Sequence, residues 1–323
     1  LWHWANHYAT ATTEFAIVTA RRQGRLVLVW PLVIERPARL RQIAWMGDPV
    51  GQYNDVIAEE TADLPALLGQ SWGYLLDSVK PDLVRLTKVR ADAIVAPLLA
   101  ARGFKITSRE EAPHMSVTAH NTYEAFEARF STKHLKNRRR QLRRLEERGP
   151  LEMHHFSEGR EACDAVQLGM TYKRAWLNDK ALVSRAFADT RIDAFFQDAV
   201  RGDVRPAGVE VSLLRSAGEG ADVNISIRCK GRCAIHILAY ALKFERCSVG
   251  NYHLARHIER AFATNVDVYD FLAPRHDYKM EWADGAVWVN DHALAVTADD
   301  EFSIGAYGWP AGFPADRYDW RGA

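Results

Sequence analysis

Cys233-Ala-Ile-His-Ile-Leu-Ala-Tyr240, Lys243-Phe-Glu-Arg-Cys-Ser-Val-Gly250, Asn251-Tyr-His-Leu-Ala-Arg-His-Ile-Glu-Arg-Ala-Phe262 and Val266-Asp-Val-Tyr-Asp-Phe-Leu272 follow one another in the chain. The first block reads as a strand, the second as a loop, and the third as a helix with Leu254, Ile258 and Phe262 on one face. The fourth reads as a buried strand. A glycine-bearing loop thus stands between a strand and a helix N-terminus. Free amides and the positive end of the helix dipole favour an anionic ligand there, typically a pyrophosphate. Gly250 permits close backbone approach, and Arg246, His253 and Arg256 are candidates to add charge. The plain alternative is an ordinary helix start with a glycine near its cap.

Upstream, Val209–Arg215, Val223–Arg228 and Arg232–Tyr240 alternate as strands, turned at Ala217-Gly-Glu-Gly220 and Lys230-Gly231. Helices are expected over 123–130, capped by Asn121 or Thr122, and over 132–148, ended by Gly149-Pro150. Two more are expected over 161–177 and 184–200, with strands at 114–119 and 151–156. The first half repeats the plan without a sequence period. Its expected strands are 15–20, 25–34, 42–46, 52–57 and 83–87, and its helices 61–79 and 91–102. Strands broken by helices in each half make the class α+β, a mixed and mostly antiparallel sheet with helices on its faces. The expected division is 1–112, 113–292 and a tail 293–323 that packs back on the first half.

The chain has 323 residues, with 48% hydrophobic and 26% charged residues and a formal charge of +1, an ordinary globular mix. Near-neutrality excludes a globally basic nucleic-acid binder, so no DNA partner is expected. The charge is uneven, however. Ser131–Gly149 holds eight Lys/Arg against two Glu, a net of +6, so an anionic ligand on the 133–148 helix is a candidate beside a merely solvated face. The longest apolar run, Leu26–Ile34, has nine residues, whereas a membrane span needs about 20. Four cysteines without a CxxC pair suit the free thiols of a cytoplasmic protein. His253 and His257 stand at i,i+4 without the glutamate of a zinc helix, so no metal is expected.

The strand–loop–helix–strand unit with Ser248-Val-Gly250 resembles the acyl-CoA-binding core of the GNAT acyltransferases. The basic stretch Ser131–Gly149, the later helix bearing Trp176, and Tyr269-Asp-Phe-Leu-Ala-Pro-Arg-His-Asp-Tyr-Lys-Met-Glu-Trp282 add to it, as does Gln52-Tyr-Asn-Asp55. Together they resemble the acetyltransferase family of bacterial cellulose and exopolysaccharide synthesis. That family is similar to the Fem-type peptidyltransferases, with two GNAT-like halves. The chain departs from the pattern in Ser-Val-Gly for Ser-Pro-Gly and in Ala273-Pro274, where a glycine is expected.

The resemblance implies acetyl-CoA or another acyl-CoA as co-substrate, held around Leu238, Ala239, Tyr240, Arg246, Ser248, Val249, Gly250, Asn251 and Tyr252. Backbone amides around Leu238–Tyr240 would bind the thioester carbonyl. It implies direct transfer to a small-molecule or glycan acceptor, a sugar or amino sugar of exopolysaccharide or cell-envelope assembly. His236 is a candidate base or a packed core histidine. Asp270, inside an apolar strand, is either poised for chemistry or paired, with Lys279 as the expected partner. Lys279 follows the family's Tyr-Lys pattern as a candidate to bind phosphate or stabilise charge. Tyr278 or Tyr240 is the candidate acid for the leaving thiolate. Tyr53 and Asp55 line an acceptor cleft or cap a turn, and Trp176 is a sugar platform or core. Two alternatives remain open: a Fem-like transferase using aminoacyl-tRNA, and a non-catalytic GNAT scaffold that binds a nucleotide or a polysaccharide-synthesis partner.

Overall fold

The computed structural model describes residues 1–202 and 208–296. In chain order the first elements are α1 (Trp2–Tyr8), β1 (Glu14–Phe15), β2 (Val18–Arg22), β3 (Arg25–Trp30), β4 (Leu32–Glu35), β5 (Gln42–Trp45), β6 (Ile57–Ala58), α2 (Leu64–Val79), β7 (Leu83–Arg90) and α3 (Ala96–Ala101). There follow β8 (Lys105–Ser116), α4 (Tyr123–Glu127), α5 (Thr132–Glu146), β9 (Leu151–Phe156), α6 (Gly159–Asp179), α7 (Arg185–Ala188) and α8 (Arg191–Val200). Last come β10 (Gly208–Ser216), β11 (Glu219–Cys229), β12 (Arg232–Tyr240), α9 (Val249–Ala263), β13 (Val268–Asp270), α10 (Asp277–Trp282) and β14 (Gly285–Ala295).

Among the described residues the chain forms two compact units, one of residues 1–111 with 287–296, the other of residues 112–286. Each holds a mixed, mostly antiparallel sheet with helices against it, the α+β class expected. The second half was expected to run to 292, but β14 is one strand that returns the chain to the first unit from Val287. Of the expected tail, residues 297–323 lie outside the described residues.

In the first unit β1, β4, β5, β7 and β14 lie in that order, with only β5/β7 parallel, and β2, β3 and β6 form a separate sheet. The expected single strand over 25–34 is two strands in two sheets. Pro31 has no N–H for a ladder, and the chain changes sheet there. The expected strand 52–57 is reduced to β6. A tryptophan core binds helix to sheet: Trp30 stacks on Trp45 at 6.0 Å, lies 5.9 Å from Trp72 of α2, and donates its indole N–H to Ser71 Oγ at 2.8 Å.

In the second unit the order is β8, β13, β12, β11, β10, β9, with β12/β13 the parallel pair. Thr122, of the two expected caps, accepts the Ala125 N–H, and Ser131 accepts that of His134 to start α5. Leu145 is the buried knob of α5, while Leu135 and Leu142 are half-buried. α9 buries Leu254 and Ile258 as its periodicity requires, packed with Phe126, Tyr269 and Trp282. It also buries His253 and His257, so it is covered on more than its apolar stripe.

Candidate active site

The site begins where two parallel strands part. β12 and β13 pair through Arg232/Val268, Cys233/Tyr269 and Ala234/Asp270, and among the described residues the ladder stops there. Asp270 ends it. One carboxylate oxygen accepts the Leu272 N–H at 2.8 Å, which curls the chain out of the strand, and Leu272 takes φ +60°. The other oxygen accepts Arg232 Nη1 at 2.6 Å. The partner expected from sequence was Lys279. Arg232 holds the carboxylate instead, because the parallel register sets it two residues from Asp270's own pairing position. Beyond Ala234 the edge of β12 faces a cavity of about 430 Å³.

A bulge decides which residues reach it from which side. Ile225 of β11 pairs with Ile237 and Ser226 with Ile235, so His236 is the extra residue. Ile235 packs in the α9 core, and Leu238 and Tyr240 lie beside Gly250. Without the bulge His236 would share their side. Its ring instead lies tilted against Phe196 of α8, the ring centres 4.9 Å apart. The cavity is lined from both sides of the sheet, by Ser248, Val249, Gly250 and Asn251 at the start of α9 and by Lys173 and Trp176 of α6.

The turn before α9 is tighter than the expected loop. Leu242–Cys247 form a 3-10 turn, and Ser248, not Gly250, takes the left-handed conformation with φ +52°. Gly250 sits in the first helical turn, where a Cβ would lie 3.5 Å from Asp222 Oδ2 and 3.9 Å from both Leu238 and Tyr240. The first-turn amides of a 15-residue helix therefore meet the cavity with no side chain at Gly250 to crowd the approach.

His276, Tyr278 and Lys279 close the cavity from the α10 side. The buried Lys279 ammonium donates to the carbonyls of Leu272 and Pro274, each at 2.9 Å, which pins the chain just after the strand parting. Tyr278 leaves 40% of its surface exposed, but burial around its hydroxyl pushes it up to about 12. Tyr240 is raised, first by burial and then by the Glu245 carboxylate, to which its hydroxyl donates at 3.4 Å. Both phenols stay protonated at neutral pH and are available as hydrogen-bond donors.

Thus His236, Leu238, Ala239, Tyr240, Ser248, Val249, Gly250, Asn251, Trp176, Tyr278 and Lys279 come together at one cavity. Asp270, Arg246 and Tyr252 do not line it. Asp55 in the first unit accepts the amides of Val56, Ile94 and Val95, the turn-capping alternative, which sets the start of α3, and Tyr53 lies under Arg90 at 4.9 Å. Lys173, Glu245 and His276 were not foreseen. Lys173 had a signal, three residues before Trp176 on the same helix face, and its ammonium lies 4.4 Å over the indole. Among the described residues no group of three or more His, Cys, Asp or Glu is placed to hold a metal ion, and no helix is long and apolar enough to cross a membrane.

Residues 132–280 match the sequence profile of a family described as an acetyltransferase (GNAT) domain. This stretch is a GNAT acetyltransferase-like domain. Comparison with curated proteins found no match. Among solved structures the chain is similar to FemX, with TM-score 0.59 at 12% identity over 92% of this chain and 91% of that one. It is also similar to the C-terminal domain of a candidate lysylphosphatidylglycerol synthetase from Agrobacterium fabrum, with TM-score 0.57 at 13% identity over 92% and 88%. L-PGS from Bacillus licheniformis aligns with TM-score 0.53 at 12% identity over 83% and 80%. At these identities the likeness is one of fold.

Proposed function

We propose that this protein is an acyl-CoA-dependent N- or O-acyltransferase that moves an acyl group, acetyl in the simplest case, directly to a sugar or amino-sugar acceptor of exopolysaccharide or cell-envelope assembly. The parting of β12 from β13 beside the start of α9 carries this reading. Past Ala234 the ladder with β13 ends, so the β12 backbone at that edge would take a thioester carbonyl and the first-turn amides of α9 the donor's pyrophosphate.

The acceptor side is that of α6. Trp176, with Lys173 over its face, offers a platform for a sugar ring. His236 takes the proton from the attacking amine or hydroxyl as the new carbon–nitrogen or carbon–oxygen bond forms. The β12 amides hold the developing oxyanion, and the carbon–sulfur bond then breaks. A phenol at about 12 is too weak an acid to surrender its proton to a thiolate of ordinary basicity. Tyr278 therefore stabilises the leaving sulfur by a hydrogen bond, with Tyr240 in the same role. His236 returns its proton to solvent, and the thiolate takes one from it.

A second reading, a Fem-like transferase fed by aminoacyl-tRNA, draws support from α5. Lys133, Lys136, Arg139, Arg140 and Arg143 all lie exposed on it. Calorimetry with acetyl-CoA separates the two. Micromolar binding is expected, and absence of binding to any short acyl-CoA overturns the main reading. RNA binding that is abolished by charge reversal at Arg139, Arg140 and Arg143 would favour the second.

A further inference from the structure

A second cavity, of about 180 Å³, lies between α4, α5 and α9 and shares Ser248 and Asn251 with the first. Tyr123, Arg138 and Arg256 line it. On these three residues four polar atoms are buried without a hydrogen-bond partner of ordinary geometry: the Tyr123 hydroxyl, both terminal nitrogens of Arg138, and Arg256 Nε. The Tyr123 hydroxyl and the Arg256 side chain nevertheless lie close enough to interact with each other. The Arg138 and Arg256 nitrogens can only donate, and the Tyr123 hydroxyl keeps its proton to donate even where its oxygen accepts from Arg256, so the group as a whole is short of acceptors. Tyr123 is only 7% exposed.

The surrounding packing explains why the donors stay in place. The Arg138 guanidinium carbon sits 3.7 Å from the Trp282 ring centre and 4.1 Å from that of Phe130, so cation–π contact holds the head group in place while its terminal nitrogens stay without a hydrogen-bond partner. Arg256 satisfies one terminal nitrogen with Glu259 at 2.8 Å, leaving Nε. Arg139 adds a third positive charge to the lining, and Glu127 is the one carboxylate in it. Glu127 stands 3.9 Å from Arg138, beyond hydrogen-bonding distance. The space exceeds the ~30 Å³ that one water occupies in the liquid.

We propose that this cavity is a subsite for a phosphate monoester or a free phosphate ion, its oxygens accepting from Tyr123, Arg138 and Arg256. Where the phosphate belongs to the donor nucleotide, the inference rests on the acyl-CoA reading, and the shared Ser248 and Asn251 make the two cavities one continuous donor site. The other source of the same chemistry is inorganic phosphate.

Calorimetry with CoA, with dephospho-CoA and with inorganic phosphate, on wild type, Tyr123→Phe and Arg256→Gln, tests it. Arg138 is left intact because its stacking on Trp282 supports the fold, and thermal unfolding checks that both variants are folded. In wild type CoA is expected to bind about tenfold or more tighter than dephospho-CoA, with the ratio falling towards one in both variants. Equal binding of the two nucleotides, with millimolar phosphate raising Tm in wild type but not in the variants, supports the site with the free ion as its source. The same phosphate result without any CoA binding supports the site and removes the acyl-CoA reading. Responses to all three probes that are the same in wild type and both variants overturn the inference, as does a wild type indifferent to both the monoester and phosphate.

Discussion

Nδ1 of His253 on α9 lies 2.5 Å from Oδ1 of Asp222 on β11, and both side chains are fully buried. The other ring nitrogen lies 2.7 Å from Ser212 Oγ on β10. Ser212 is only 1% exposed, so the array ties a helix to a sheet and offers no nucleophile to a substrate. Burial raises Asp222 above the usual carboxylate range, and His253 acts against that shift. Asp222→Ala strands a buried imidazole and is expected to cost about 3–5 kcal/mol. Asp222→Asn, which keeps an acceptor, should cost about 1–3 kcal/mol. Urea unfolding measures both, and a loss under 1 kcal/mol for the alanine variant would refute the tie.

Asp270 and Arg232 set the point at which β12 and β13 part. Asp270→Asn keeps the bond to the Leu272 amide and loses the ion pair, so stability should fall by about 1–3 kcal/mol and turnover should drop with it. A double-mutant cycle with Arg232→Gln should return a coupling of about 1 kcal/mol or more. Lys279→Ala frees the Leu272 and Pro274 carbonyls and should also depress turnover. Unchanged activity in both Asp270→Asn and Lys279→Ala would remove the strand parting from the reaction.

If His236 is the base, His236→Gln should lower kcat by about 10²-fold or more while leaving the donor's binding constant unchanged. The acidic limb of the pH–rate profile should disappear. Trp176→Ala should raise the acceptor's KM more than it lowers kcat. A full pH profile surviving in His236→Gln would assign the base elsewhere, with Glu245 the next residue to test.

His257 is buried with its Nδ1 2.6 Å from the Tyr269 hydroxyl, and burial above all holds it well below the ordinary histidine value. The folded state keeps it neutral, whereas the unfolded chain protonates it near the usual 6.5. Its contribution is therefore fully present above pH 6.5 and is lost as pH falls below it, at up to about 1.4 kcal/mol per pH unit. Unfolding free energies at pH 7 and pH 5 should show a smaller difference in His257→Gln than in wild type. An equal difference would contradict the assignment.

Much of the second unit was legible because short-range rules govern it. The β10–β12 alternation, the 3.6-residue spacing of Leu254 and Ile258, the Thr122 cap and the close of α5 before Gly149-Pro150 each depend on neighbours a few residues away. Pro31 carried a local signal of a break inside an apparent ten-residue strand, contrary to the single strand expected over 25–34. The side of the sheet that His236 takes was not legible. Alternation predicts it only if no residue is inserted, and the bulge exists only in the pairing of β12 with β11. Glu245 and His276 carried no local signal, and Lys173 carried only its spacing from Trp176.

The sequence alone determined the α+β class, the strand–helix–strand unit around Gly250, and the concentration of positive charge on α5. Periodicity, caps and charge are properties of nearby residues. Only the tertiary structure decided that Asp270 pairs with Arg232 rather than Lys279, and that Asp222 meets His253 across 31 positions of chain. It also gathered Tyr123, Arg138 and Arg256 around one cavity. Burial in a dense interior obliges each polar group to find a partner, and which partner is within reach depends on strand register and helix packing.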